Sequence, residues 1–189
     1  MKHPEVILIP LLMFADYMLT VLGARQRETG YGQHFKLHTY EINPVWQEAI
    51  AQKRWFNPRH TVLTLFFFVV LLYLVEFGGL PEIYPQVLLG AILTVYGYIL
   101  ARHLSNLLVF RRVRRLPHEV SGEITLTQTF ATAISFHQCL HLTIPLILLA
   151  YFSRDGYVIG GATGSVVLML LSLSWLQRAE DKAKNTTAV

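Results

Sequence analysis

The chain has a single cysteine, Cys139, among 189 residues. One thiol excludes an internal disulfide, and the lack of a cysteine cluster excludes the common zinc and iron–sulfur motifs. Charge is also scarce. Only 15% of the residues are Asp, Glu, Lys or Arg, where a soluble domain carries about a quarter. No internal repeat and no low-complexity tract divides the chain, so one domain is expected over residues 1–189. Lys2 alone precedes the first apolar run, and no small-residue cleavage site ends it. That run is therefore expected to be a retained span and not a signal peptide.

Apolar residues are plentiful, at 53%, and they come in blocks that are apolar on every side. A helix of that kind is a membrane span, because a soluble core helix keeps one polar face. Five blocks are long enough to cross about 30 Å of hydrocarbon: about 6–24, 61–79, 86–109, 127–152 and 157–176. Gly78-Gly79 and Pro81 stop the second, Pro85 opens the third, and the turn "SRDG" at 153–156 separates the last two. Pro10 and Pro145 fall inside spans, where kinks are tolerated. The closing "DKAKNTTAV" reads as a frayed polar tail. The predicted fold class is all-α: a polytopic integral membrane helical bundle of five transmembrane helices.

The basic residues set the threading. The 25–60 loop, the segment after the third span and the C-terminal tail together hold thirteen Lys and Arg, against two, Lys2 and Arg154, on the opposite side. The positive-inside rule then places the N-terminus outside and the C-terminus in the cytoplasm of a multi-pass cell-membrane protein. The basic balance is thus a topology signal. No nucleic-acid partner is expected, although "RRVRR" at 111–115 suits anionic lipid head groups.

Ionisable residues within hydrocarbon are costly and face a bundle interior or a wet cavity. Here they are Asp16 in the first span, Glu76 near the outer end of the second, Arg102 and His103 in the third, and His137 and His141 in the fourth. At about 1.5 Å rise per residue, Asp16 and His103 both lie roughly 12 Å from the cytoplasmic ends of their spans. His137 lies roughly 15 Å in, so Asp16, Arg102, His103 and His137 are expected in one layer. His137 with His141, Asp16 with Thr20, and Arg102 with Asn106 are each four apart and share a helix face. Asp16 is the expected counter-charge for Arg102.

The 25–60 loop is rich in aromatics and carries His34, His38, Glu41 and two Asn-Pro pairs. "VWQEAIAQKRWF" at 45–56 is predicted to form an interfacial amphipathic helix, capped by Asn43 with Pro44 at its first position. Such a loop folds back over the cytoplasmic mouth, with His34 and His38 near its lining. Asp16-x3-Thr20 followed by Glu41-x-Asn43-Pro44 resembles a pattern in small bacterial and archaeal membrane proteins of unknown function. The resemblance covers the first quarter of the chain. It implies no activity, and it adds Glu41 and Asn43 to Asp16 as site candidates.

Four readings of the polar layer follow. His137 and His141 could ligate one divalent metal, with His103, Asp16 or Glu41 completing the set and a bound water as nucleophile toward a lipid-like substrate. There is no His-Glu-x-x-His; Gln138, Cys139 and Leu140 stand between the two. Alternatively, His103 with His137 or His141 would hold a b-type haem, with Arg102 on a propionate and Gly90 and Gly97 admitting the ring. A proton relay or carrier is disfavoured without paired halves. The bland reading is interhelical hydrogen bonding at about 0.6 kcal/mol per contact, which does not offset charges costing about 2.5 to 3.5 kcal/mol each at a span centre. Gly160, Gly161, Gly164 and Ser165 are ordinary packing, and Gly160-x3-Gly164 also suits a dimer face. The sequence therefore points to a membrane-embedded enzyme acting at the inner leaflet. Asp16, as ligand or base, Glu41, and Arg102, as anion clamp, are its candidate catalytic residues, and His137 and His141 its candidate metal ligands. A haem-bearing electron-transfer subunit and a non-catalytic subunit of a homo-oligomer or larger membrane complex are the alternatives.

Overall fold

A computed structural model describes residues 1–28, 30–37 and 45–187, with side chains to 184. Five helices carry the fold. Helix α1 is Leu8–Arg27, entered through a 3-10 turn at Pro4–Ile7. It is followed by a one-turn helix α2 (Tyr31–His34), strand β1 (Phe35–Leu37) and a short helix α3 (Gln47–Ala51). The long helices α4 (Pro58–Phe77) and α5 (Ile83–Arg115) come next. Strand β2 (Ile124–Leu126), α6 (Gln128–Ser153) and α7 (Gly156–Thr187) complete the chain. All five long helices have the length and apolar composition to cross a membrane, and the protein is a multi-pass membrane protein.

The helix starts have local causes. Asn57 Oδ1 accepts from the Arg59 and His60 amides with Pro58 at the first helical position, so the second Asn-Pro pair starts α4. Thr127 caps α6 through the Phe130 amide. Asp155 accepts from the Tyr157 and Val158 amides at the start of α7. Arg154, in the left-handed region, turns the chain between α6 and α7 as the "SRDG" turn requires. Helix α7 runs on through Thr187, so most of the expected frayed tail is helical; Asp181, Lys182 and Lys184 extend it beyond the apolar span.

Helix α5 is central, packed on α1 and α7, and α6 packs on the far side of α7. The α5–α7 contact is close because glycines remove side chains from it. A Cβ on Gly164 would stand 2.6 Å from the Ala91 carbonyl oxygen, and one on Gly160 would strike the Val87 carbonyl. The Gly160-x3-Gly164 face is therefore occupied within the chain by α5, which corrects its reading as a dimer face. A buried apolar cluster of Val6, Ile9, Leu71, Val75 and Leu89 joins α1, α4 and α5 near the N-terminal ends of α1 and α5. The outer surface is apolar as well: Phe77 is 73% and Phe152 78% exposed, as lipid-facing residues are.

The two basic connections meet at one end of the bundle. β1 and β2 pair in parallel, Phe35 opposite Ile124 and Leu37 opposite Leu126. This two-stranded patch was not foreseen from the sequence. The loop folds back as expected, but its described helix is the five-residue α3. Ile50 of α3 is buried against Tyr17, Val21 and Ala24 of α1. His38, Glu41, Asn43 and Pro44 lie outside the described residues.

Candidate functional site

Four helices and one loop residue enclose a polar cavity of about 340 Å3. Helix α1 contributes Asp16 and Thr20; α5 contributes Arg102, His103 and Asn106; α7 contributes Ser172 and Trp175. Ser135 of α6 and Trp46 of the loop complete the wall. Of the expected layer, Asp16, Arg102 and His103 line the cavity and His137 does not. Asp16, Thr20, Arg102, His103 and Asn106 converge, and the four-residue spacings within α1 and α5 bring each pair onto the cavity wall.

His103 faces α1. Its Nε2 is 3.0 Å from Asp16 Oδ1 and 3.1 Å from Thr20 Oγ1. The Thr20 hydroxyl donates to the Asp16 backbone carbonyl at 2.9 Å. With that proton committed and a carboxylate alongside, Nε2 carries the ring hydrogen of His103. Its Nδ1 is buried with no partner among the described residues. Neighbouring Arg102 is turned by about 100° and faces α6. Its NH1 donates to Ser135 Oγ at 3.0 Å, and its guanidinium lies 5.7 Å from the Tyr98 ring centroid. The expected Asp16–Arg102 pair is therefore not formed. Asp16 is paired with His103, and Arg102 has no ion pair among the described residues.

His137 and His141 do share a face of α6, but it is the outer one. The buried face of that helix is Thr132, Ser135, Cys139 and Thr143. His137 is two residues from Ser135, about 200° around the helix, and both histidines are exposed. A sequence reading finds the shared face but not its direction, because both sides of α6 are apolar apart from a few polar groups. Neither histidine lines the cavity, and among the described residues no group of three or more His, Cys, Asp or Glu stands close enough to hold a metal ion. The residues also do not fit the haem arrangement: His103 is engaged by α1, no second histidine among the described residues lines its cavity, and Gly90 is closed by the Tyr157 backbone. His34 does not reach the mouth either; its Nδ1 is 2.9 Å from the Gly122 carbonyl oxygen.

The sequence reading missed Ser172 and Trp175, which look like ordinary residues of the last span, and Trp46, which only the fold-back of the loop brings to the mouth. His60 was also missed. It is buried among Phe14, Tyr17 and Trp46, with the Tyr17 ring centroid 4.7 Å away.

A second polar cluster lies at the other end of the bundle. Glu76 accepts from the Lys2 and His3 amides, each at 2.8 Å. The buried His3 ring has Glu5 Oε1 3.1 Å from Nδ1 and Glu82 Oε1 3.2 Å from Nε2. The Glu82 contact is close enough for an ion pair but misaligned for a hydrogen bond. Tyr157 OH donates to Glu5. This clasp joins the N-terminal segment to α4, α5 and α7. No protein-family model matches the chain, and no curated protein or solved structure matches it.

Proposed function

We propose that this multi-pass protein is a membrane-embedded enzyme that binds the anionic head of a lipid-like substrate in the Asp16–His103–Arg102 cavity and assists its hydrolysis or transfer by acid–base chemistry. The observation that carries the reading is Arg102: a half-buried guanidinium on the cavity wall, hydrogen-bonded to one neutral hydroxyl and without an ion pair among the described residues, the cavity's carboxylate Asp16 being engaged by His103. A cation within a membrane bundle that lacks its own ion pair suits an anion brought from outside. Asp16 is the base, able to take a proton from an attacking hydroxyl or water. His103 positions it through the Nε2 hydrogen, and Thr20 stands beside the ring. The metal-assisted form of the activity is not carried forward, because the two histidines it needs point away from the cavity. We further propose the orientation with the N-terminus outside and the C-terminus in the cytoplasm, supported by thirteen basic residues on the cavity's side of the bundle against two on the other. The Asp16-x3-Thr20 half of the resemblance to small membrane proteins falls in this site.

The test uses the purified protein in lipid nanodiscs. Trp46 and Trp175 line the cavity, so tryptophan fluorescence reports its occupancy by inorganic phosphate or butyl phosphate. Saturable binding that weakens at least about tenfold in Arg102→Gln is expected. Equal binding by the two proteins would overturn the reading.

One observation favours a second reading, a non-catalytic subunit of a membrane complex. His137, Gln138 and His141 form an exposed polar patch on α6, which in lipid would be left without partners. A neighbouring transmembrane helix would satisfy them. Native mass spectrometry of wild type and of the His137→Ala, His141→Ala double variant checks it: a lost assembly supports the partner role, and identical spectra end it.

A further inference from the structure

Above the polar cavity, along the same helices, lies a second cavity of about 310 Å3 whose wall is almost wholly apolar. The two share wall residues Val95 and Tyr96 of α5. They are stacked along the bundle. On α1, Met13 lines the apolar cavity and Asp16, one turn on, the polar one. On α7, Val167 lines the apolar cavity and its neighbour Leu168 the polar one. On α5, the apolar wall ends and the polar wall begins at Val95 and Tyr96. Phe67 and Val167, 39% and 50% exposed, form a rim that faces the surroundings of the bundle.

The order of the two chambers is that of a lipid in a bilayer leaflet. On α5 the polar chamber runs from Val95 to Asn106, on the side of Arg111–Arg115, and the apolar chamber runs from Ala91 to Tyr96, on the side of Ile83. From Arg102 back to Ala91 is about 16 Å at the helix rise. The apolar volume holds about ten groups at roughly 30 Å3 each, the share of a water molecule and close to that of a methylene. An apolar chamber beside a cation site is poorly used by a small soluble anion, and a head-down single chain fills both.

Building on the anion-binding reading above, we propose that the substrate is a single-chain anionic amphiphile. Its phosphate- or carboxylate-bearing head would meet Arg102, and its acyl or isoprenoid-type chain would pass Tyr96 into the groove between Met13, Phe67 and Val167. The chain enters sideways from the bilayer past Phe67 and Val167, so the substrate need not leave the membrane. Chain selectivity then resides in α7 and α4, and head selectivity in α5.

The experiment separates the two layers. Hexadecyl phosphate, butyl phosphate and hexadecanol are titrated into the full-length protein, with tryptophan fluorescence as readout. The wild type is expected to prefer hexadecyl over butyl phosphate by at least about a hundredfold, the apolar transfer of several methylenes. Val167→Phe, which narrows the groove at an exposed rim without adding a tryptophan, is expected to cut that preference at least about tenfold. Thr163→Leu is a second, milder obstruction with the same expected direction. A chain-length preference unchanged in both variants overturns the proposed groove. So does hexadecanol competing as well as hexadecyl phosphate, since the groove would then take any bilayer chain. Loss of butyl phosphate discrimination between wild type and Arg102→Gln, with chain preference intact, instead sinks the head-group reading alone.

Discussion

Asp16 Oδ1 and His103 Nε2 stand 3.0 Å apart across the α1–α5 contact, one carboxylate and one imidazole from facing helices. Removing either partner leaves the other with an unmet polar group in low dielectric. Asp16→Asn is expected to lower activity by about a hundredfold or more if Asp16 is the base, and to lower thermal stability by about 1–3 kcal/mol. His103→Leu should cost similar stability while leaving a larger residual activity, since His103 positions Asp16. Paired turnover and melting measurements on the two variants check this, and equal turnover losses would reject the assigned roles.

Arg102 presents a different expectation, because its guanidinium donates to the Ser135 hydroxyl and has no ion pair among the described residues. Ser135→Ala frees the guanidinium without removing its charge. Anion affinity in that variant should stay within about threefold of wild type, against a loss of about tenfold or more in Arg102→Gln. Fluorescence titration with butyl phosphate distinguishes the two, and a Ser135→Ala loss as large as that of Arg102→Gln would show that the hydroxyl itself binds the head.

The α5–α7 seam depends on glycine for its close approach. Gly164→Ala places a Cβ 2.6 Å from the Ala91 carbonyl oxygen, which is backbone and cannot rotate away. Overpacking of this kind costs about 1–3 kcal/mol. Gly97, which has open space beside it, is the control: Gly97→Ala should be neutral or slightly stabilising through helix propensity. Unfolding midpoints in detergent read both.

At the N-terminal clasp, Glu76→Gln removes the charge that accepts the Lys2 and His3 amides. The N-terminal segment should loosen while the bundle stays folded. Hydrogen exchange is the measurement: faster exchange at Lys2 and His3, with α5 and α7 unchanged, is expected, and unchanged exchange at both amides would deny Glu76 that role.

The Arg112–Glu119 pair gives a pH dependence at the basic end. Arg112 Nε and NH2 donate to the two Glu119 oxygens at 2.6 and 2.8 Å, and this hydrogen bonding holds the Glu119 carboxyl below its ordinary value. A depressed carboxyl adds stability that is fully present above the unfolded value, about 4.3, and fades as pH falls through the lower folded value. The stability difference between wild type and Glu119→Gln should thus vanish in acid and be present at neutral pH. A difference that grows on acidification would contradict it.

Five spans were legible because the bilayer imposes one rule on a long apolar run: its backbone must satisfy itself as a helix. The same reading singled out Asp16, Thr20, Arg102, His103 and Asn106, which the fold brings to one cavity, since a polar group in hydrocarbon needs a reason to be there. It erred with His137 and His141 for an equally physical cause. In water a helix declares its buried face by apolar periodicity, but a lipid-facing side and a packed side are both apolar, so periodicity does not tell them apart. Composition and spacing fixed the number of helices, the side that carries the basic residues and the existence of an intramembrane polar layer. Only tertiary packing decided that α6 turns Ser135 inward and its histidines outward, and that His103, not Arg102, meets Asp16. It also decided that glycines spend themselves on the α5–α7 seam. Those outcomes depend on helix rotation, which is set by contacts between residues far apart in the chain.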